Sequence, residues 1–217
     1  MPLLLDSAKI EDAQAAAQLG WVWGITTYPT LLAQSGLMPA ETLKKLLEIF
    51  GDDKEIFYQL THKTIDDMRR EAEKAREILP WNLVLKIPAN DLGFKFTAQY
   101  SQYYPIAVTA VYTTAQALVA QACGARYALF YYGRTNRFLG EGRGLQLARE
   151  LVQIAKGSQM EIAAASMKTP QEVADVALAG VPYLSAPLAV LQVLTSHELS
   201  DQAVKEFDEK GAGLPAK

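Results

Sequence analysis

The chain has 217 residues, half of them apolar, with 21 Lys and Arg against 24 Asp and Glu and a net charge of −3. That apolar content is enough for one substantial core, and the dispersed basic residues form no stripe suited to a phosphate backbone, which speaks against nucleic acid as a partner. One cysteine excludes an intrachain disulfide framework and suits a reducing cytoplasm, the two histidines have no metal-ligand spacing, and no run approaches the ~20 apolar residues of a membrane span.

The N-terminus, Met1-Pro2-Leu3-Leu4-Leu5-Asp6, lacks the basic leader of an export signal. Its apolar run predicts a strand over 3–6, followed by a helix over 10–19. Next come a strand at 22–26, a helix at 39–50, a strand at 55–60 and a helix at 64–79. A buried strand follows at 83–87. The segment 91–104 has no clean helical period, because Gly93 and an aromatic cluster interrupt it. Beyond it, strands are expected at 106–111, 127–132, 161–165 and 183–186. Helices are expected between and after them at 113–123, 142–156, 170–179 and 188–194. Cys123, at the end of the helix over 113–123, reads as packing. A final amphipathic helix over 200–210 has Ser200 as a plausible N-cap, and its Ala203, Val204 and Phe207 form a stripe that something must cover.

Strand–helix alternation of this kind implies parallel βα units, which close economically as an open doubly wound sheet or as a (β/α)8 barrel. The first strand leads into Asp6-Ser7-Ala8-Lys9 rather than a glycine-rich phosphate loop, and nothing divides the chain. The expectation is an α/β fold, a single TIM barrel over 1–217 with an extra C-terminal helix.

In such a barrel chemistry gathers at the C-terminal ends of the strands. Those ends carry Asp6, Thr26, Thr27, Gln59, Lys86, Thr109, Tyr131, Tyr132 and Ser166. Lys86 ends the apolar run Leu83-Val84-Leu85. A buried lysine loses basicity and becomes an amine able to attack a carbonyl; alternatively it snorkels to solvent or pairs with a carboxylate.

Five segments resemble the small transaldolase family, in its fructose-6-phosphate aldolase-like branch. They are Leu5-Asp6-Ser7, Gly24-Ile25-Thr26-Thr27-Tyr28-Pro29-Thr30, Val84-Leu85-Lys86-Ile87-Pro88, Thr109-Ala110-Val111-Tyr112 with Ala115-Gln116, and Ala164-Ala165-Ser166-Met167-Lys168-Thr169-Pro170. The resemblance implies a cofactor-free, metal-free class I aldolase barrel in which Lys86 forms a Schiff base and Asp6 assists it. Thr26, Thr27 and Ser166 would bind donor hydroxyls or shape the pocket. Gln59, Thr109 and Tyr131 match the set that holds a catalytic water in the aldolase-like branch, where larger transaldolases have glutamate and phenylalanine. Arg134 matches an arginine near the substrate's phosphate end, although it could equally pair with Glu141 or Glu150 on the surface. Relatives form pentamers or decamers, so a homo-oligomer is expected.

The chain departs from the family at Tyr28, where the motif has asparagine, and at Gly133, where relatives carry a polar residue. Tyr28 would narrow the pocket or exchange one substrate contact for another. The expected substrates are a small ketone or ketose and an aldehyde. Alternatives are transfer of a dihydroxyacetone unit between sugar phosphates, and a barrel that binds a metabolite without chemistry.

Overall fold

The computed structural model describes residues 1–213. Eight parallel strands close in sequence order into a barrel: β1 (Leu3–Asp6), β2 (Val22–Thr26), β3 (Glu55–Gln59), β4 (Leu83–Pro88), β5 (Ile106–Val111), β6 (Tyr127–Tyr131), β7 (Glu161–Ala165) and β8 (Tyr183–Ala186). The expected (β/α)8 barrel is therefore the fold. Helices α1 (Ile10–Gln18), α3 (Pro39–Phe50), α4 (Ile65–Ile78), α6 (Thr114–Ala122), α8 (Arg143–Ala155), α9 (Pro170–Leu178) and α10 (Leu188–Val193) follow the expected pattern.

Period-two alternation sorts the strand residues between two environments. Leu5, Ile25, Ile56, Leu85, Val108, Phe130 and Ile162 face outward and pack with the helices in the main core. Leu4, Phe57, Val84, Ala107 and Tyr127 pack together inside the barrel. Above them sit Leu129, Ala163 and Ala165, with Tyr131 against them. Tyr127 fills the lower interior, its ring 5.3 Å from Phe57 and 4.9 Å from Tyr183, and its hydroxyl donates to Glu55 at 2.7 Å. The interior below the strand ends is thus packed side chains, and a cavity opens at the C-terminal mouth.

Several local expectations need correction. The segment after β4 is a regular helix, α5 (Asp91–Tyr100). Asn90 caps it by accepting from the Gly93 amide at 2.8 Å. A Cβ on Gly93 would lie 2.0 Å from the Pro88 carbonyl, so the glycine that breaks the sequence pattern permits the close turn. Two short helices were not anticipated, α2 (Pro29–Gln34) and α7 (Tyr132–Leu139). Tyr132 starts α7 instead of ending β6, and Leu60 lies beyond β3. The last helix, α11 (Glu198–Lys210), begins ahead of Ser200, with His197 accepting from the Leu199 amide. It contains no buried residue.

Candidate active site

Strand register sets the site. Gln59 on β3 pairs with Lys86 on β4, and Pro88 pairs with Thr109 on β5, so their side chains share the barrel mouth. Lys86 is 1% exposed; its stem runs among packed strands and its Nζ donates to the Thr27 carbonyl at 3.0 Å. Of the two possibilities open from sequence, snorkelling is excluded. Burial lowers the amine pKa to about 8, against the opposing pull of the Asp6 charge.

Asp6 is held from behind. Ser185 lies 2.6 Å from Thr26 Oγ1, which donates onward to Asp6 Oδ1 at 3.0 Å. With its hydrogen committed to Asp6, Thr26 accepts from Ser185. Burial raises the Asp6 pKa, while Lys86 and the Thr26 hydrogen bond pull it back. Asp6 and Lys86 make no direct ion pair among the described residues, so the carboxylate acts on the amine through space.

Tyr131, at the end of β6, has its hydroxyl 2.9 Å from Thr109 Oγ1. Its pKa is raised by burial, so the phenol is held protonated. The Thr109 hydrogen bond lowers it, but desolvation outweighs that contact. Tyr28 is extended at the N-cap of α2, and its ring centroid lies 5.4 Å from Lys86 Nζ. The Arg134 guanidinium lies over the Tyr131 ring at 5.0 Å. It makes no ion pair among the described residues; Glu150 pairs with Arg143 instead.

Ser166, just after β7, has a left-handed backbone with φ +67°. Its carbonyl accepts from the Gly133 amide at 3.2 Å, and a Cβ on Gly133 would lie 2.4 Å from that oxygen. The glycine at 133 is what lets α7 approach β7 closely enough to bring Arg134 beside Ser166.

A cavity of about 360 Å3 occupies the mouth, lined by Asp6, Tyr28, Gln59, Lys86, Tyr131, Arg134 and Ser166, with Pro29, Thr30 and Ala165. Three expected site residues do not line it. Thr26 and Thr27 are fully buried, with hydroxyls committed to Asp6 and to the Phe57 carbonyl at 2.8 Å. Thr109 reaches the cavity only through Tyr131. Ser185 was not singled out from sequence, although its position near the end of β8 was the available signal. No group of three His, Cys, Asp or Glu suited to a metal occurs among the described residues, and no helix there is long and apolar enough to cross a membrane.

Residues 3–214 match the family described as Transaldolase/Fructose-6-phosphate aldolase. A "Probable transaldolase" of Geotalea uraniireducens is 31% identical over 216 residues, covering 99% of this chain and 100% of that protein. Another "Probable transaldolase", from Lactiplantibacillus plantarum, is 33% identical over 212 residues, covering 95% of this chain and 94% of its own. A thiamine phosphate pyrophosphorylase from Pyrococcus furiosus shares the fold at TM-score 0.58 and 15% identity, covering 98% of this chain and 97% of its own.

Proposed function

The chain belongs to the transaldolase/fructose-6-phosphate aldolase family, and within it we propose a cytoplasmic class I aldolase that makes or breaks a carbon–carbon bond between a small hydroxyketone and an aldehyde. The supporting observation is Lys86: a buried amine with its pKa pulled down to about 8, at the floor of a cavity rimmed by hydrogen-bonding groups.

In this reading the free amine attacks the ketone carbon, and the carbinolamine loses water to give an iminium. As the water held by Gln59 and Tyr131 takes the proton of the adjacent hydroxyl, that cation accepts the electron pair of the breaking carbon–carbon bond, the aldehyde leaves, and an enamine remains. Proton transfer to carbon and hydrolysis of the iminium then release the ketone and restore the amine. Asp6 relays protons at nitrogen and at the departing hydroxyl, and a protonated Tyr131, oriented by Thr109, donates toward carbon. Gln59 and Tyr131 would hold a catalytic water, Ser166 a substrate hydroxyl, and Arg134 an anionic substrate end, since a guanidinium fork suits oxyanions.

Borohydride added with hydroxyacetone or dihydroxyacetone should leave a stable adduct on Lys86, located by peptide mass. Absence of an adduct with every short ketone and ketose would overturn the reading. Transfer of a dihydroxyacetone unit between sugar phosphates is the second reading, favoured by the names of the relatives. Gln59 and Tyr131 speak for free release instead. Comparing release of the free ketone with its transfer to erythrose 4-phosphate separates the two.

We also propose a homo-oligomer, a pentamer or decamer. Leu199, Val204 and Phe207 on α11 are 66%, 54% and 70% exposed, an apolar face that a neighbouring subunit would cover. A monomeric mass in solution would remove this proposal.

A further inference from the structure

Strand β5 carries one residue too many for its partner. Thr109 pairs with Leu129 and Val111 with Phe130 on β6, which leaves Ala110 unopposed. Ala110 is left-handed, with φ +59°, a conformation unfavourable to any residue with a Cβ. Among the described residues only Ser166, just after β7, shares it without being glycine. An extra residue of this kind is a β-bulge, and it reverses which face every later side chain meets. Ala107 packs inside the barrel, Val108 packs among the helices, and Thr109 turns to the mouth. Unbroken alternation would then send Val111 to the mouth and Tyr112 outward. Instead Val111 is fully buried in the main core, and the Tyr112 ring comes against Tyr131.

The two rings stand nearly perpendicular, at 75°, with centroids 6.1 Å apart. That separation lies in the range where an aromatic edge meets a neighbouring face favourably. The Tyr112 backbone is tied down: its amide donates to Gln116 Oε1 at 2.9 Å, and Gln116 Nε2 donates to the Ala89 carbonyl at 3.2 Å. The Ala89 amide in turn donates to the Thr109 carbonyl at 2.9 Å. Gln116, on α6, therefore joins the turn after β5 to the turn after β4, the strand that carries Lys86. Tyr131 has Thr109 at its hydroxyl, Arg134 over its ring and Tyr112 beside it. Tyr112 does not line the cavity at the mouth, so its route to the chemistry runs through Tyr131.

We propose that Tyr112, turned to the mouth by the bulge at Ala110, is a positioning residue for Tyr131, setting where the phenol stands relative to the donor carbon. The inference rests on the aldolase reading above and deepens its carbon-protonation step. In that step the phenol O–H gives its proton to the enamine carbon, and the electron pair of the carbon–carbon double bond forms the new C–H bond. The nitrogen lone pair closes the iminium, and the phenolate regains a proton from the water held by Gln59 and Tyr131. In reverse, a proton leaves the hydroxyl-bearing carbon by the same path. A phenol free to tilt meets that carbon less often, which slows proton transfer and leaves imine formation untouched.

Hydroxyacetone in D2O, with no aldehyde present, reads this step through deuterium incorporated at the hydroxyl-bearing carbon, while borohydride trapping on Lys86 reads imine formation. Tyr112→Leu, which keeps bulk and removes the ring, should slow exchange about three- to tenfold, the size of a lost aromatic pair. KM for hydroxyacetone and the adduct yield should stay within about twofold of wild type, and Tyr112→Phe should restore exchange. In a Tyr131→Phe background Tyr112→Leu should add almost nothing, because the group it positions is gone. Gln116→Ala, which frees the Tyr112 turn, is the second variant should Tyr112→Leu not fold; it should slow exchange and likewise lose its effect in Tyr131→Phe. Equal slowing in both backgrounds, a parallel fall in exchange and adduct yield, or a loss in Tyr112→Phe as large as in Tyr112→Leu would overturn the inference. Absence of any Lys86 adduct in wild type would fail the aldolase reading and the inference with it. Adduct formation with exchange unaffected by Tyr131→Phe would leave the Schiff base standing and remove the inference, so the failures are distinguished.

Discussion

The ring of Tyr28 faces the Lys86 amine, with its centroid 5.4 Å from Nζ. The electron-rich face stabilises a cation without the desolvation cost of a second charge, and the proposed iminium would carry its positive charge at that same nitrogen. Tyr28→Phe should keep kcat within about twofold, whereas Tyr28→Leu should lower it roughly three- to thirtyfold, matching ~0.5–2 kcal/mol for a cation–π contact. Steady-state cleavage together with the yield of borohydride adduct checks this. Equal loss in the Phe variant would move the role from the ring to the hydroxyl.

The low pKa of Lys86 carries a stability cost. Between about 8 and 10.5 the unfolded chain binds a proton on this amine that the folded chain does not, so wild-type stability should rise with pH across that window. Lys86→Met removes the group. It should be inactive yet roughly 3–4 kcal/mol more stable at neutral pH, with the gap closing as pH approaches 10.5, since each pKa unit corresponds to ~1.4 kcal/mol. Urea unfolding at several pH values measures both slopes, and parallel slopes would contradict the assignment.

Activity should follow the free amine. Because Asp6, Tyr28, Tyr131 and Arg134 surround the reacting centre, the profile belongs to the group of them, with Lys86 setting the lower limb. kcat/KM should climb about tenfold per pH unit in acid and level off near 8. Burial raises both tyrosines, so their ionisation should not reduce the rate until pH exceeds the ordinary phenol range. Asp6→Asn, which removes the charge that raises Lys86, should move the lower inflection downward.

Thr26 should behave as a support for Asp6 and not as a substrate contact. Thr26→Val leaves Asp6 and Ser185 each without a buried partner, at ~1–3 kcal/mol of stability, and should lower kcat more than it raises KM. Thr26→Ser keeps the relay and should restore both. A KM-only effect in the Val variant would return Thr26 to direct substrate binding.

Gly133→Ala should separate α7 from β7, because the new Cβ would sit 2.4 Å from the Ser166 carbonyl oxygen. A loss of about 1–3 kcal/mol is expected from such overpacking, with a higher KM for phosphorylated substrates through displaced Arg134. Thermal unfolding and kinetics on matched phosphorylated and neutral substrates check the two effects.

The barrel was legible because its strands are short apolar runs with helical patterns between them. What sequence hid was local. The apolar stretch Phe130-Tyr131-Tyr132 does not mark where β6 turns into α7, since both environments bury aromatics. Gly93 looked like a break and is a close approach. At the site, residue types and strand ends identified Lys86 and its neighbours. They could not identify which oxygen each hydroxyl bonds, so Thr26 and Thr27 were expected on the cavity wall and lie behind it. His62 was weighed only for metal spacing; its pairing with Glu71, nine residues away on α4, becomes visible once the loop is folded.

The hydroxyls beneath the amine are bonded to one another and to backbone, whereas Tyr28, Arg134 and Ser166 sit on or beside turns that leave the strands. On the proposed reading, reactivity would reside in a fixed floor and recognition in a replaceable rim. A lineage carrying this floor can exchange rim residues and acquire new substrates with little penalty to folding, and tyrosine at position 28 is what one such exchange would look like.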